Sequence, residues 1–176
     1  MDKRSIEEGF SKMQQRIDRN TAFLTAIPAF VEIAGKNDGK VLNKRFTDQL
    51  KDSLPEGIGI SEYKLSYLKD YIDVTIYLKG FYSISSSHTF RFAIAECFTE
   101  TESGKLRIKA KAFRESLKKQ REDIVSENAA TRADIDKAYN MLVDAAELVR
   151  LFDEYRNKYS YQMLDDFKVN YWLKTY

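Results

Sequence analysis

The segment YIDVTIYL, Tyr71 to Leu78, alternates apolar and polar side chains over its whole length. A period of two places the apolar side chains on one face of a β-strand and the polar ones on the other. A strand of this kind needs a hydrophobic layer over one face only. The segment therefore predicts a sheet that is buried on one face and covered there by helices.

Three further segments carry a period of two and are predicted to be strands. They are Phe90 to Ile94, Lys105 to Ala110 and a weaker one from Ile58 to Leu65. The turn sequences SSSH and TETESG separate neighbouring strands without room for a crossover helix. We therefore expect the strands to pair as an antiparallel meander.

The N-terminal part of the chain has the period of amphipathic helices. Ser5 and Glu8 form a capping box that predicts where the first helix begins, and Pro28 predicts where it ends. A second helix is predicted from about Leu42 to just before Pro55. The apolar seams of the two helices are Ile6, Phe10, Met13, Ile17, Leu24 and Ile27, and then Leu42, Phe46, Leu50 and Leu54.

The helical period returns after Ala112. A short helix is predicted as far as Val125, and a long one from near Ala133 to Arg156, with a seam of Ile135, Ala138, Leu142, Ala145, Val149 and Phe152. Because this seam matches that of the first helix, we expect the two long helices to pack together. The tail DDFKVNYWLKTY alternates like an edge strand, but YQMLDDF before it suits a helix, so its state stays open.

These segments predict one α+β domain over residues 1–176, with helices in 1–54, strands in 55–112, and helices and an aromatic tail in 113–176. Its antiparallel sheet of about four strands carries two N-terminal and two C-terminal helices. The length of 176 residues and the hydrophobic fraction of 43% suit one core.

Composition narrows the classes of function. One cysteine and one histidine leave no internal disulfide and no usual zinc site, so we expect no metal and no organic cofactor. No stretch approaches the ~20 apolar residues that cross a bilayer, and the N-terminus lacks a signal-peptide core. We expect a soluble, cytoplasmic protein without a membrane partner.

Positive charge is concentrated in KLRIKAKAFRESLKKQR, Lys105 to Arg121, where eight of seventeen residues are Lys or Arg. The whole chain is nearly balanced, with 29 basic and 27 acidic residues. The spacing predicts one cationic stripe across a strand and a helix, formed by Lys105, Arg107, Lys109, Arg114, Lys118 and Arg121, with Lys44 and Arg45 extending the basic surface. The stripe is either an interface for an anionic partner, whose affinity would fall with salt, or a solvated face.

Other candidate residues have structural interpretations. His88 is predicted to be a turn residue, and Cys97 a packed residue in a strand. GKVLNKRF is a helix start, because Val41 stands where a phosphate loop needs Ser or Thr. Asn20 either fixes a helix register or marks where the helix turns polar.

The C-terminal end is rich in aromatic residues, and core packing is favoured there over a protein interface. These residues are Tyr155, Tyr159, Tyr161, Tyr171, Trp172 and Tyr176. We expect no catalytic residue in the chain.

A charged N-terminal helix followed by GKVLNKRFTDQL at 39–50, a strand-rich middle and a Lys-rich helix resembles small uncharacterised proteins of phages and conjugative elements. Some of those proteins are anti-CRISPR inhibitors. The resemblance implies a compact protein without enzymatic activity that binds a host nucleoprotein, often on a surface meant for nucleic acid. It assigns no function to Lys44, Arg45 or Phe46.

Sequence and resemblance together favour a stoichiometric inhibitor of a nucleic-acid-handling host machine, such as a CRISPR nuclease. A direct DNA- or RNA-binding accessory protein is one alternative, and an enzyme with an unfamiliar site is another. The partner would be a host nucleoprotein or a protein effector, and the oligomeric state stays open.

Overall fold

A computed structural model describes residues 3–66, 69–80 and 86–158, with side chains described for 7–66, 69–80 and 86–142. The chain divides into two units, residues 1–131 and residues 132–176. The two sheets, α1 to α4 and the first part of α5 lie in the first unit. The single domain expected over residues 1–176 stays a prediction.

The fold is α+β, with an antiparallel sheet of about four strands, a small second sheet and helices at both ends, which confirms the predicted class. In chain order the elements are α1 (Lys3–Leu24), α2 (Ile27–Lys36), α3 (Lys44–Ser53), β1 (Ile58–Ile60), β2 (Lys64–Leu65), β3 (Tyr71–Leu78), β4 (Ser87–Ala93), α4 (Ile94–Cys97), β5 (Phe98–Glu100), β6 (Leu106–Ile108) and α5 (Ala110–Lys158).

The strand predicted from YIDVTIYL is β3, at the centre of the main sheet. It pairs with β4 from Tyr71 opposite Ala93 to Tyr77 opposite Ser87, and with β1 and β2 along its other edge. All pairings are antiparallel. The inward side chains of β3 and β4 form the sheet side of the core: Ile72, Val74, Ile76, Phe90 and Phe92.

A row of phenylalanines joins the helices to this sheet. Phe30 of α2 lies 4.8 Å from Phe90 and 6.4 Å from Phe92, measured between ring centroids. Phe113 of α5 stacks on Phe92 at 3.7 Å, with the ring planes 11° apart. The edges of Phe46 and Phe98 approach Phe113 at 6.0 and 6.2 Å. Aromatic packing therefore holds α2, α3 and α5 to the sheet.

The first helix differs from its prediction at both ends. It begins at Lys3, so the predicted capping box of Ser5 and Glu8 does not mark its start. It ends at Leu24, and Pro28 lies in the first turn of α2 instead of stopping a longer helix. The N–H that proline lacks has no intrahelical partner in a first turn, so this position tolerates it.

The two predicted C-terminal helices are one continuous helix, α5. The segment SENAATRAD between them contains no proline or glycine that would interrupt it. The helix from Ala110 therefore passes through Ala133 without a break, and no separate helix begins there.

Within the first unit, polar side chains connect α1 to α5. The amide Nδ2 of Asn20 donates to Oδ1 of Asn128 at 3.0 Å, and Nδ2 of Asn128 donates to Oγ1 of Thr21 at 3.5 Å. Arg16 forms an ion pair with Glu127. Asn20 thus takes part in a polar contact between two helices, as a register-fixing residue would. The predicted seam beyond Leu142 lies outside the side chains that the structure describes.

The strand predictions at the edges needed correction. Residues 58–65 form two short strands, β1 and β2, and the segment from Lys105 to Ala110 contributes only β6, which pairs with β5 in the second sheet. Cys97 is buried as expected, but in the short helix α4 instead of a strand. Residues 159–176, including the aromatic tail, lie outside the described part of the chain.

His88 is a strand residue, not a turn residue. It lies in β4 opposite Ile76, on the face that carries Phe90, and its ring stacks on Phe23 with centroids 5.6 Å apart. Burial among these rings lowers the pKa of His88 below the ordinary value of 6.5, and the charge of Glu127 opposes part of this shift.

Acid is expected to destabilise the fold through His88. Because the folded-state pKa is lowered, the unfolded chain takes up the proton first, so this contribution to stability is complete above pH 6.5 and is lost below it. One proton sets an upper limit of about 1.4 kcal/mol per pH unit. Urea unfolding at pH 7.5 and 5.5 should show a larger loss for the parent than for His88→Phe. Equal losses in the two proteins would contradict the assignment.

Candidate partner-binding surface

The strand β6 lies between two neighbours, which fixes the direction of its side chains. On one side it pairs with β5, with Arg107 opposite Thr99. On the other side it pairs with residues 38–42, here called the connecting segment, through Gly39 N–H to Ile108 O at 2.8 Å and Leu42 N–H to Leu106 O at 2.7 Å. Ile108 is buried, so alternation turns Arg107 towards solvent.

The start of α5 is fixed by the same connecting segment. A carboxylate oxygen of Asp38 accepts from the N–H of Ala110, the first residue of α5, at 2.8 Å. Phe113, Leu117 and Ile124 then turn into the core. The stack of Phe113 on Phe92 sets the rotation of α5 about its axis.

Removing the Asp38 cap is expected to cost about 1 kcal/mol of stability, as for other caps replaced by alanine. Asp38→Ala leaves an N–H at the positive end of α5 without its carboxylate partner. Asp38→Asn is the matched control, because it keeps an acceptor oxygen, and it should lose less. Chemical denaturation measures both. A loss that is equal in the two variants would assign the effect to charge instead of capping.

All eight basic residues predicted for the surface are exposed. Arg114, Lys118 and Arg121 share one face of α5, at steps of four and three residues, here called the α5 basic face. Among the residues that the structure describes, none forms an ion pair with these three side chains.

Lys109 belongs to a different part of the surface. Its ammonium group donates to the carbonyl oxygen of Ala95 at 3.4 Å. It lines a shallow depression together with Glu96, Lys111, Ala112, Glu115, Ser116 and Lys119. At 3.6 residues per turn, the α5 residues of this depression lie on average roughly 125° around the helix from the α5 basic face.

Acidic residues also surround Arg107. It shares a second depression with Glu100 and Glu102 of the β5–β6 hairpin. Lys105 lies at the start of β6, where its backbone N–H donates to Oγ1 of Thr101 at 3.0 Å. The TETESG turn thus places carboxylates beside the basic strand.

Lys44 and Arg45 open α3, which begins just after Leu42, at the Lys105 end of β6. The Lys44 ammonium group lies 3.9 Å from Glu62, with both side chains about three-quarters exposed. The backbone N–H of Arg45 donates to Oδ1 of Asn43, the N-cap of α3, at 2.9 Å. The helix start predicted for GKVLNKRF is therefore present.

The basic residues predicted as one surface thus lie in different electrostatic surroundings. Within the described ranges Arg114, Lys118 and Arg121 form no ion pair, whereas Arg107, Lys109 and Lys44 lie near carboxylates. In the sequence, the glutamates of TETESG indicated that carboxylates would lie beside the basic strand. The binding role of all eight residues stays a prediction.

The two most reactive side chains, Cys97 and His88, are not among the exposed residues of this surface. Cys97 is fully buried, and burial is the main cause that raises the pKa of its thiol. His88 packs between aromatic rings of the core. Within the described ranges, no three His, Cys, Asp or Glu side chains are grouped so that they could hold a metal ion.

No helix in the described part of the chain is both long and apolar enough to cross a bilayer.

Comparison with known proteins finds no matching family model, no matching curated protein and no matching solved structure.

Proposed function

We propose that this chain is a non-enzymatic binding protein that engages an anionic partner through the α5 basic face. The partner we propose is a nucleic-acid-handling host machine, such as a CRISPR nuclease, inhibited stoichiometrically by a protein of a phage or mobile element. The observation that carries the binding role is the row Arg114, Lys118 and Arg121, exposed on a helix whose rotation Phe113 fixes.

Two features favour an interface over a solvated face. Arg114 and Lys118 lie one turn apart, where like charges weaken a helix instead of stabilising it. The three cations also span about 10 Å along one rigid helix, so they can meet several phosphate or carboxylate groups at once. Neither feature is needed for solubility alone.

Reversing the three charges tests the proposal. The variant Arg114→Glu/Lys118→Glu/Arg121→Glu should lose a partner that the parent captures from nuclease-treated host lysate. Its melting temperature should stay nearly unchanged, because exposed charges contribute little to folding. The matched control Lys12→Glu/Lys36→Glu/Lys51→Glu changes the net charge equally at exposed positions on α1, α2 and α3 and should keep the partner. Retention by the α5 variant would refute the proposal.

Salt dependence separates this function from the alternative of direct DNA or RNA binding. A direct binder would hold bare duplex DNA through α5, and each lost phosphate contact would flatten the logarithmic salt slope by roughly 0.9. The inhibitor reading expects the captured protein to be lost from the α5 variant without a matching change in binding to bare DNA.

A further inference from the structure

The main sheet has a second face, opposite the phenylalanine row, that carries an ordered set of polar and aromatic side chains. Across it run the cross-strand pairs Tyr77–Ser87, Thr75–Thr89, Asp73–Arg91 and Tyr71–Ala93. Here it is called the open face. Tyr71 and Tyr77 are 38% and 39% exposed, which is high for tyrosines in the central strand of a sheet.

Tyr77 lies across the neighbouring strand. A Cβ atom built on Gly59 would be 2.4 Å from Cε2 and Cζ of the Tyr77 ring, so the ring rests directly on the Gly59 backbone. A side chain at position 59 would lift the ring away. With one side on the backbone, the ring presents its other side to solvent.

Tyr71 is held by a neighbouring cation. The guanidinium carbon of Arg91 lies 5.3 Å from the Tyr71 ring centroid. Arg91 is fixed in turn by two hydrogen bonds to Asp73, at 2.8 and 3.0 Å. The pair presents two planar groups at a defined position, although more than half of the Arg91 side chain is exposed.

The surface between the two tyrosines is hydroxyl-rich and carries basic side chains. A hydrogen bond of 2.8 Å connects Oγ1 of Thr75 with Oγ1 of Thr89 in the middle of the open face. Lys64 lies opposite Asp73, and Lys79 follows Tyr77 at the same alternation. Together with Arg91, which pairs with Asp73, these lysines place three basic side chains at this face.

We propose that the open face binds single-stranded nucleic acid, with bases stacked on Tyr77 and on the Tyr71–Arg91 pair. Sheet-borne tyrosines and arginine planes are surfaces on which unpaired bases stack. The two tyrosines are six residues apart in one strand, roughly 20 Å, so they meet two different bases of one strand. Lys64 and Lys79 supply charge for the phosphates between and beside those bases.

Features of the open face favour this occupant over a protein. The core of a protein interface is apolar, whereas hydroxyl groups and an ion pair fill the space between these tyrosines. A duplex fits poorly as well, because its bases are stacked on one another and show no free plane to a flat sheet. The open face differs in chemistry from the α5 basic face. The ligand proposed for the open face does not depend on the function proposed for the α5 basic face.

The test replaces both tyrosines in two ways and measures binding of labelled ten-nucleotide single-stranded DNA and RNA of mixed sequence by fluorescence anisotropy at 50 mM salt. Tyr71→Leu/Tyr77→Leu removes both rings but keeps apolar strand residues. We expect about tenfold weaker binding for each ring lost, from the energy of one base stack. Tyr71→Phe/Tyr77→Phe keeps both rings and should bind within about threefold of the parent.

Several results would overturn the proposal. They are absence of single-strand binding by the parent, equal affinity of the leucine and phenylalanine variants, and equal affinity for duplex of the same sequence. Loss of oligonucleotide binding in the α5 charge-reversal variant, with none in the leucine variant, would move the ligand to α5. A protein that stays bound to the parent after nuclease treatment, but does not bind the leucine variant, would identify a protein occupant. Thermal melting checks that every variant is folded.

Discussion

Replacing Phe113 with alanine is expected to lower the free energy of unfolding by about 3–5 kcal/mol, the range measured for large buried aromatic residues. Phe113 is 1% exposed and contacts three other rings, from β4, α3 and β5. The variant loses both apolar burial and a stacked pair, and it leaves a cavity where α5 meets the sheet. Urea denaturation measures the change.

The exposed neighbour Arg114 provides the control for this variant. Arg114→Ala should change stability by no more than about 0.5 kcal/mol, as surface substitutions usually do. A double-mutant cycle with Phe92→Ala should also give a coupling of about 0.5–1.5 kcal/mol for the stacked pair. A small effect of Phe113→Ala would mean that α5 is held mainly by other contacts.

Phe30→Ala is expected to have an effect of similar size, about 3–5 kcal/mol. Phe30 is fully buried and is the ring through which α2 contacts Phe90 and Phe92. Phe30→Leu keeps most of the volume and should lose less than about 1.5 kcal/mol, as volume-conserving exchanges usually do. Comparable losses in the two variants would show that the ring shape matters more than the volume it fills.

Local pattern was enough to predict the two longest strands of the main sheet. The alternation in β3 and β4 follows directly from burial of one face, so Ile72, Val74 and Phe90 were assigned to the core from sequence. The end of α3 before Pro55 was also predicted, because proline disfavours a helical conformation in the residue before it.

Features that depend on distant partners were not predictable. Pro28 fits either the end of a helix or its first turn, and the choice depends on how α2 packs. Pairing of the connecting segment with β6 has no local signal, because its partners are far apart in sequence. The fourth predicted strand was therefore placed in the wrong sheet.

For the candidate surface, the sequence predicted which side chains are exposed but not which of them lie together. Alternation and helical spacing correctly indicated exposure of Arg107, Arg114 and Lys118. Which of them share a face depends on the rotation set by Phe113 and on the acidic β5–β6 turn. The open face was missed although YIDVTIYL shows it, since Tyr71 and Tyr77 occupy its outward positions.

The connecting segment also has a consequence for the order of folding. Asp38 and the N–H it caps are 72 residues apart in sequence, so the second sheet and the first turn of α5 close a long loop. At translation rates of 5–20 residues per second, roughly 4 to 14 seconds separate the synthesis of the two partners. During that time residues 38–42 stay solvated because β6 has not been synthesised, whereas β3 and β4 can already pair. Non-local pairing of this kind slows folding, so the junction that positions α5 is expected to assemble after the pairing of β3 with β4.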